Sequence, residues 1–174
     1  MRFSSVIFGA FALLTTSVVA TNPDFSSCTS EAKQCDKDAK SCTSLNAPII
    51  YPIIVADIYA LIADIKAEID VIVAIKVELS ADVQAQIYAD LQALINATIT
   101  ACVDLILVAP IIILVDLQAQ VEAALKALLN IWVTLIADIK ICLDLEASLI
   151  AALWITLEAE LNLCISAYAI LSIL

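Results

Sequence analysis

The chain has 174 residues, a formal net charge of −11 at neutral pH and 63% hydrophobic residues, and it contains no histidine. Hydrophobic residues usually make up about 45–50% of a soluble protein, so this chain has more apolar side chains than a small core buries. Some of them must face a ligand, another copy of the chain or an apolar surface. The acidic balance excludes nucleic acid as a partner, because phosphate would be repelled.

The missing residue types also exclude most kinds of catalytic site. Without histidine the chain has no Ser-His-Asp or Cys-His arrangement and no histidine-ligated metal. Gly9 is the single glycine, so no glycine-rich loop can cradle a phosphate. Carboxylate pairs such as Asp64 and Glu68 fit a solvated helix face better than an acid/base pair. The sequence therefore predicts a protein that is not an enzyme and has neither a cofactor nor a metal ion.

The N-terminal residues have the layout of a secretory signal peptide. Arg2 precedes the apolar stretch Val6–Leu14, and small residues end at Ala20, where we predict cleavage. This predicts three segments: a signal peptide over 1–20, a polar cysteine-containing segment over 21–47 and an apolar helical body over 48–174. We therefore expect a secreted, extracellular protein. An N-terminal membrane anchor is the alternative.

Six cysteines are divided equally between the polar segment and the apolar body. In the polar segment they recur every seven residues, which places them on one stripe of a helix about 10 Å apart. A disulfide needs Cα atoms within about 7 Å, so the three cannot pair with one another. In a secreted chain six cysteines predict three disulfides, which would staple the N-terminal helix to the body. The residues are Cys28, Cys35 and Cys42 in the segment and Cys102, Cys142 and Cys164 in the body.

Helical register indicates how these cysteines would pair. Cys28 and Cys142 both fall near the end of the bundle that holds the loop of Ser80, so we predict the pair Cys28–Cys142. Cys102 and Cys164 are predicted to lie at the same distance from that end of the bundle, about 30 Å. They would pair with the two remaining cysteines of the polar segment in an order that the sequence leaves open.

The apolar body has the periodicity of helices. Ile and Ala recur at helical spacing, and the Gly, Asn or Asp pairs of tight hairpin turns are missing. Ser80 is a predicted N-cap with Asp82 in the first turn, Pro110 separates two helical stretches, and Asp144 is a second predicted N-cap. We therefore predict an all-α fold: an up-down four-helix bundle with a short N-terminal helix stapled to it by disulfides. The helices are predicted over 49–78, 81–108, 111–142 and 145–173; the alternative is a long two-helix hairpin that dimerises.

Two sequence features lie within these helices. Asp82–Ile95 aligns without gaps with Asp116–Leu129 at an offset of 34 residues, which indicates a weak repeat of one helix per unit. Asn96-Ala97-Thr98 is an N-glycosylation sequon, whose use requires an exposed Asn96.

The surplus of apolar residues favours one function over the others. Charges interrupt the apolar runs, and a spanning helix needs about 20 apolar residues, so we predict no membrane span. We expect a secreted, non-enzymatic helical amphiphile that binds lipid, sterol or an apolar surface such as cell wall or cuticle. A self-associating structural protein is the first alternative. An interfacial film former that converts to β structure, or a membrane-associated protein, is the second.

In its leader, its size and its apolar helices the chain is similar to small secreted helical proteins of fungi, such as the hydrophobic-surface-binding and cell-wall mannoprotein group. The likeness implies an extracellular helical protein that contacts apolar matter. No motif matches residue by residue, so no site residue is carried over.

Overall fold

The computed structural model describes residues 22–75, 79–111, 115–142 and 147–171. The predicted signal peptide and the predicted cap Asp144 lie outside these residues. Five α-helices account for nearly all of the described chain, and the all-α prediction is confirmed. They are α1 (Ser26–Ser41), α2 (Ala47–Ala74), α3 (Ala81–Val108), α4 (Val115–Cys142) and α5 (Ala147–Leu171), with a 3-10 turn (Ala109–Ile111) after α3.

Local signals explain where these helices begin. Ser80 caps α3, because its hydroxyl accepts a hydrogen bond from the Val83 amide at 3.4 Å, and Asp82 lies in the first turn. Pro48 occupies the first turn of α2, where a missing N–H costs no helical hydrogen bond. The prediction of a helix over 81–108 is confirmed. The other three predicted long helices correspond to α2, α4 and α5, and their predicted ends at 76–78, 112–114, 145–146 and 172–173 lie outside the described residues.

Hydrogen bonds between helices establish that the chain runs up and down. The Asp24 amide donates to Glu68 Oε2 at 2.9 Å, which joins the start of α1 to the end of α2. The Tyr51 hydroxyl donates to the Val108 carbonyl at 2.9 Å, which joins the start of α2 to the end of α3. The Tyr168 hydroxyl donates to the Leu105 carbonyl at 3.0 Å, so α3 and α5 end at the same end of the molecule.

The five helices pack as a closed ring rather than as four helices with one appended. Within the described residues, the extensive contacts follow the order α1, α2, α4, α5, α3 and back to α1. The short helix α1 therefore lies between α2 and α3 and forms part of the wall. This corrects the predicted four-helix bundle, and the disulfide staple is not found either, since all six cysteines are free.

The buried face of α1 explains why it fits between two long helices. Only small side chains occupy this face, and they recur at alternating spacings of four and three residues. This is the periodicity of a helix packed along a seam, and small side chains let neighbouring backbones approach closely. The three cysteines that recur every seven residues therefore alternate with two alanines on one buried packing face of α1. The buried residues are Cys28, Ala32, Cys35, Ala39 and Cys42.

The internal repeat corresponds to the first halves of α3 and α4. Asp82 and Asp116 are each the second residue of their helix. The repeat therefore places equivalent apolar residues on the buried faces of two helices that lie on different sides of the ring. The buried pairs are Ile87 and Val121, Leu91 and Leu125, and Leu94 and Leu128.

Three helical segments are long and apolar enough to cross a membrane, judged by length and composition alone. They are Ala47–Ala74, Ala81–Ile111 and Ala151–Leu171. This differs from the sequence-based expectation, because a window of eighteen residues in each carries no more than two charges. In the most apolar windows of the first and third, 28% and 22% of the residues are buried, so much of that apolar surface faces outward.

Candidate apolar binding site

One end of the ring has long stretches without charge. It is the end at which α2 begins and α3 and α5 end, and we call it the apolar end. Residues 45–56, 105–111 and 161–171 contain no charged side chain. Six of the twelve large hydrophobic side chains that are exposed in the described residues lie in these three stretches. They are Leu45, Ile49, Ile53, Leu107, Leu163 and Ile170.

Charges at this end are confined to other parts of the ring. Lys40 and Asp104 lie on the side where α1 meets α3, and their side chains are 3.4 Å apart. Asp116 is exposed in the first turn of α4. The exposed apolar residues therefore form an apolar rim in two parts, one on α2 and one on the neighbouring helices α3 and α5, with the charged residues near α1 and α4 between the parts. Exposed apolar surface of this kind suits contact with apolar matter.

Two tyrosines close the interior beneath this rim. Tyr51 and Tyr168 are fully buried, with ring centroids 6.5 Å apart and planes at 68°. Their hydroxyl oxygens are 3.5 Å apart, although α2 and α5 are not neighbours in the ring. Burial raises the pKa of both hydroxyl groups, so both stay protonated and donate to carbonyls of α3. The pair thus crosses the interior and provides it with neutral hydrogen-bonding groups.

The interior itself is lined by aliphatic side chains. Among the described residues, Thr98 and Gln118 are the buried polar ones, and no buried residue is charged. The Thr98 hydroxyl donates to the carbonyl of Leu94, its own helix, so it offers little to a ligand. The buried indole N–H of Trp132 has no hydrogen-bond acceptor. The lining includes Ile54, Ile58, Ile65, Leu91, Leu94, Leu125, Leu135, Leu157 and Leu161.

The predicted disulfide residues occupy different parts of the ring. Cys28 faces Asp64 and Glu68 of α2, and burial together with these carboxylates raises the pKa of its thiol to about 12. Cys142 is half-buried in the last turn of α4. Because α2 lies between α1 and α4 in the ring, the predicted pair Cys28–Cys142 is separated by a whole helix and is not formed.

The cysteines nearer the apolar end lie closer together. The neighbouring thiol of Cys164 on α5 and burial raise the pKa of Cys102 on α3. Burial and neighbours that include Cys102 raise the pKa of Cys35 on α1. Cys42 is buried at the end of α1 beside Tyr51. The structure therefore brings together Cys35, Cys102 and Cys164. Among the described residues, no group of three or more Cys, Asp or Glu side chains has the arrangement of a metal site.

Carboxyl groups face each other along both seams of α1. Between α1 and α2, burial and the hydrogen bond with Asp38 raise the pKa of Asp57 to about 6. Between α1 and α3, the interaction with Asp36 raises the pKa of Asp104. Burial would raise the pKa of Asp36, but its interactions with Asp104 and Lys40 lower that pKa by more. Of this second pair, Asp104 is therefore the carboxyl group that binds a proton first as the pH falls.

Two open grooves lie away from the apolar end. One, of about 350 Å³, runs between the start of α1 and α3 and is lined partly by Thr29, Lys33 and Asp90. The other, of about 190 Å³, lies beside Pro23 and Gln86. Both are open to solvent and include charged residues, Lys33 and Asp90 in the first and Asp82 in the second, so neither encloses an alkyl chain and neither is the candidate lipid site.

The predicted glycosylation site is placed on α3. The Asn96 side chain is exposed, as attachment of a glycan requires, whereas Thr98 of the same sequon is buried. Occupancy of the site stays a prediction.

Sequence reasoning missed the tyrosine pair and the carboxyl pairs. Tyr51 and Tyr168 are 117 positions apart in the chain, and Asp38 and Asp57 have no motif in common. The one available signal was that both tyrosines lie in charge-free stretches. Such stretches indicate burial but not which residues meet there.

No protein-family model matches the chain, and no curated protein matches it. Among solved structures the chain is similar to that of AFMP4P in complex with palmitic acid, with a TM-score of 0.60 and 19% sequence identity. The match covers 83% of this chain and 95% of the AFMP4P chain. Since the match spans nearly all of AFMP4P, the likeness concerns the whole fold.

Proposed function

We propose that this protein binds a lipid with a long alkyl chain in the interior of the five-helix ring and that the lipid enters at the apolar end. The main support for this proposal is one observation. The helices form a closed ring with an uncharged aliphatic interior, and one end of the ring has an exposed apolar rim. The similarly folded AFMP4P, whose structure contains palmitic acid, supports the same ligand class.

Burial of the alkyl chain supplies the binding energy. Each methylene group moved from water into an apolar interior contributes about 0.8 kcal/mol. The interior is filled by side chains in this structure, so part of that energy is used to separate helices and repack them. In the described part of the chain, no disulfide crosses the seams that α1 and α4 make with their neighbours, so these seams can separate.

The charges of the chain indicate how the head group is held. No cation lines the described interior, and the net charge of −11 repels a carboxylate. We therefore expect the head group to stay at the apolar end, in water or near the neutral hydroxyl groups of Tyr51 and Tyr168. Palmitic acid and the uncharged alcohol of the same chain length should then bind with similar affinity.

Native mass spectrometry of the full chain, purified without detergent and incubated with palmitic acid, tests this function. We expect one lipid per monomer. Leu107→Glu, which places a charge on the rim, should lower lipid occupancy about tenfold, because a charge next to an apolar entrance must stay solvated. Leu107 is 67% exposed, and the matched control Ile141→Glu changes a residue that is 78% exposed at the opposite end. Absence of any lipid adduct, or equal loss in both variants, contradicts the proposal; a bare oligomer favours a self-associating structural protein.

The proposal includes secretion through the leader over 1–20, an extracellular location at an apolar surface such as a cell wall or cuticle, and no catalysis. N-terminal sequencing of the protein recovered from the medium tests the first part. A mature chain that begins at Thr21 is expected. A chain retained in cells with its leader intact argues for an anchored protein.

Membrane association is a second candidate, favoured by the three helical segments that are long and apolar enough to span a bilayer. In that case the outward-facing apolar surface of α2 and α5 would contact lipid tails. Extraction of cell membranes with alkaline carbonate separates the two functions. A lipid carrier is released into the soluble fraction, whereas an integral protein stays in the pellet.

A further inference from the structure

Cys102 and Cys164 lie at one height on two adjacent parallel helices. Cys102 is six residues before the end of α3, and Cys164 is seven residues before the end of α5. At about 1.5 Å per residue, each lies roughly 10 Å below the apolar end. Both side chains are fully buried, and the two thiols lie near enough for Cys164 to raise the pKa of Cys102.

A hydrogen bond between α5 and α3 fixes the position of the two helices along each other. About one turn above the thiols, the Tyr168 hydroxyl of α5 donates to the Leu105 carbonyl of α3 at 3.0 Å. This bond prevents the two helices from sliding along each other near the cysteines. From this geometry we propose that Cys102 and Cys164 are an oxidation site and form a disulfide that joins α3 to α5 across the ring wall.

The other cysteines have different surroundings. Cys28 faces carboxylates, and Cys142 lies in the last turn of α4, away from the apolar end. Cys35 of α1 also lies near Cys102 and is the alternative partner for a disulfide with it. Cys164, however, lies at the same height as Cys102 on a neighbouring helix, and the Tyr168 bond to Leu105 fixes the two helices together about one turn away.

The reaction is an exchange of thiols with a disulfide. The two cysteines lose their S–H protons and two electrons and form one S–S bond, while a low-molecular-weight disulfide is reduced to two thiols. The neighbouring Cys164 and burial raise the pKa of the Cys102 thiol well above its ordinary value, so it is not a thiolate in the folded protein. Exchange therefore takes place while the chain folds, and the closed core then protects the bond.

Fragment mapping of the full chain tests this pairing. The protein is folded in a buffer of reduced and oxidised glutathione, unfolded in the presence of an alkylating reagent without reductant, and cleaved after Lys and Glu. This cleavage places every cysteine on a separate fragment. We expect the fragment of Cys102 linked to that of Cys164, with the other four cysteines alkylated. Alkylation of all six cysteines, or a link from Cys102 to any other cysteine, overturns the proposal.

Thermal unfolding provides an independent readout. A disulfide that closes a loop of this length should raise the unfolding midpoint by roughly 5–15 °C over that of the reduced protein. Cys164→Ser should remove the sensitivity to reductant, while the matched control Cys28→Ser keeps it. A reductant effect that persists in Cys164→Ser would show that another pair forms the bond.

Discussion

The hydroxyl oxygens of Tyr51 and Tyr168 lie 3.5 Å apart in the interior, although they belong to helices that are not neighbours in the ring. Each also donates to a carbonyl near the end of α3, at Val108 and Leu105. Three helices are thereby joined at the apolar end by two side chains. This arrangement closes the interior where the exposed apolar rim begins.

Removing one of these hydroxyl groups should weaken the fold. In Tyr168→Phe the Leu105 carbonyl loses the donor from α5, and the expected loss in the free energy of unfolding is about 1 kcal/mol. Chemical denaturation monitored by circular dichroism measures this loss. Tyr59→Phe is the control, because Tyr59 is 48% exposed and should change little. Equal effects of the two substitutions would mean that the buried bond adds no stability.

Enlarging a small residue of α1 should destabilise the ring. Ala32 is fully buried on the face that packs between α2 and α3. Ala32→Leu must push these helices apart or strain its own side chain, at a cost of about 1–3 kcal/mol in the free energy of unfolding. Denaturant titration measures it, with Lys33→Leu at an adjacent exposed position as the control. A stable Ala32→Leu protein would indicate that α1 is not part of the wall.

The carboxyl pair between α1 and α2 predicts a dependence of stability on pH. Burial and Asp38 raise the pKa of Asp57 to about 6 in the folded protein, above the value of about 3.9 in an unfolded chain. The folded state thus binds this proton more tightly, so the contribution of Asp57 is present below about pH 4 and is lost as the pH rises through about 6.

Asp57→Asn removes this titration. The variant should be more stable than the original chain at pH 7 and nearly equal to it at pH 4, as measured by thermal unfolding across this range. Asp70→Asn, at an exposed position of the same helix, is the matched control. A difference between the Asp57 variant and the original chain that does not vary with pH would rule out titration of this pair as the cause.

The all-helical fold also bears on the alternative of an interfacial film former. Backbone groups that are already paired within helices are not available for β pairing, so we expect the helical structure to survive at an interface. Circular dichroism before and after shaking with air measures this. A change to a β-type spectrum would support film formation instead.

Much of the fold follows from local signals in the sequence. The cap at Ser80, the prolines near helix ends and the helical spacing of Ile, Leu and Ala predict where the helices lie, because these signals act within a few residues. The common height of Cys102 and Cys164 also follows from the sequence, since the rise of a helix is constant. The excess of apolar residues predicts a surface that meets apolar matter.

The tertiary structure alone decides which helices are neighbours. The position of α1 between α2 and α3 depends on how its small side chains pack against two distant segments, and no local pattern encodes that choice. The same ring order separates Cys28 from Cys142, brings Tyr51 to Tyr168 and places Asp38 opposite Asp57. Local periodicity determines each helix and its buried face, whereas the partner of that face is selected by the packing of the whole ring.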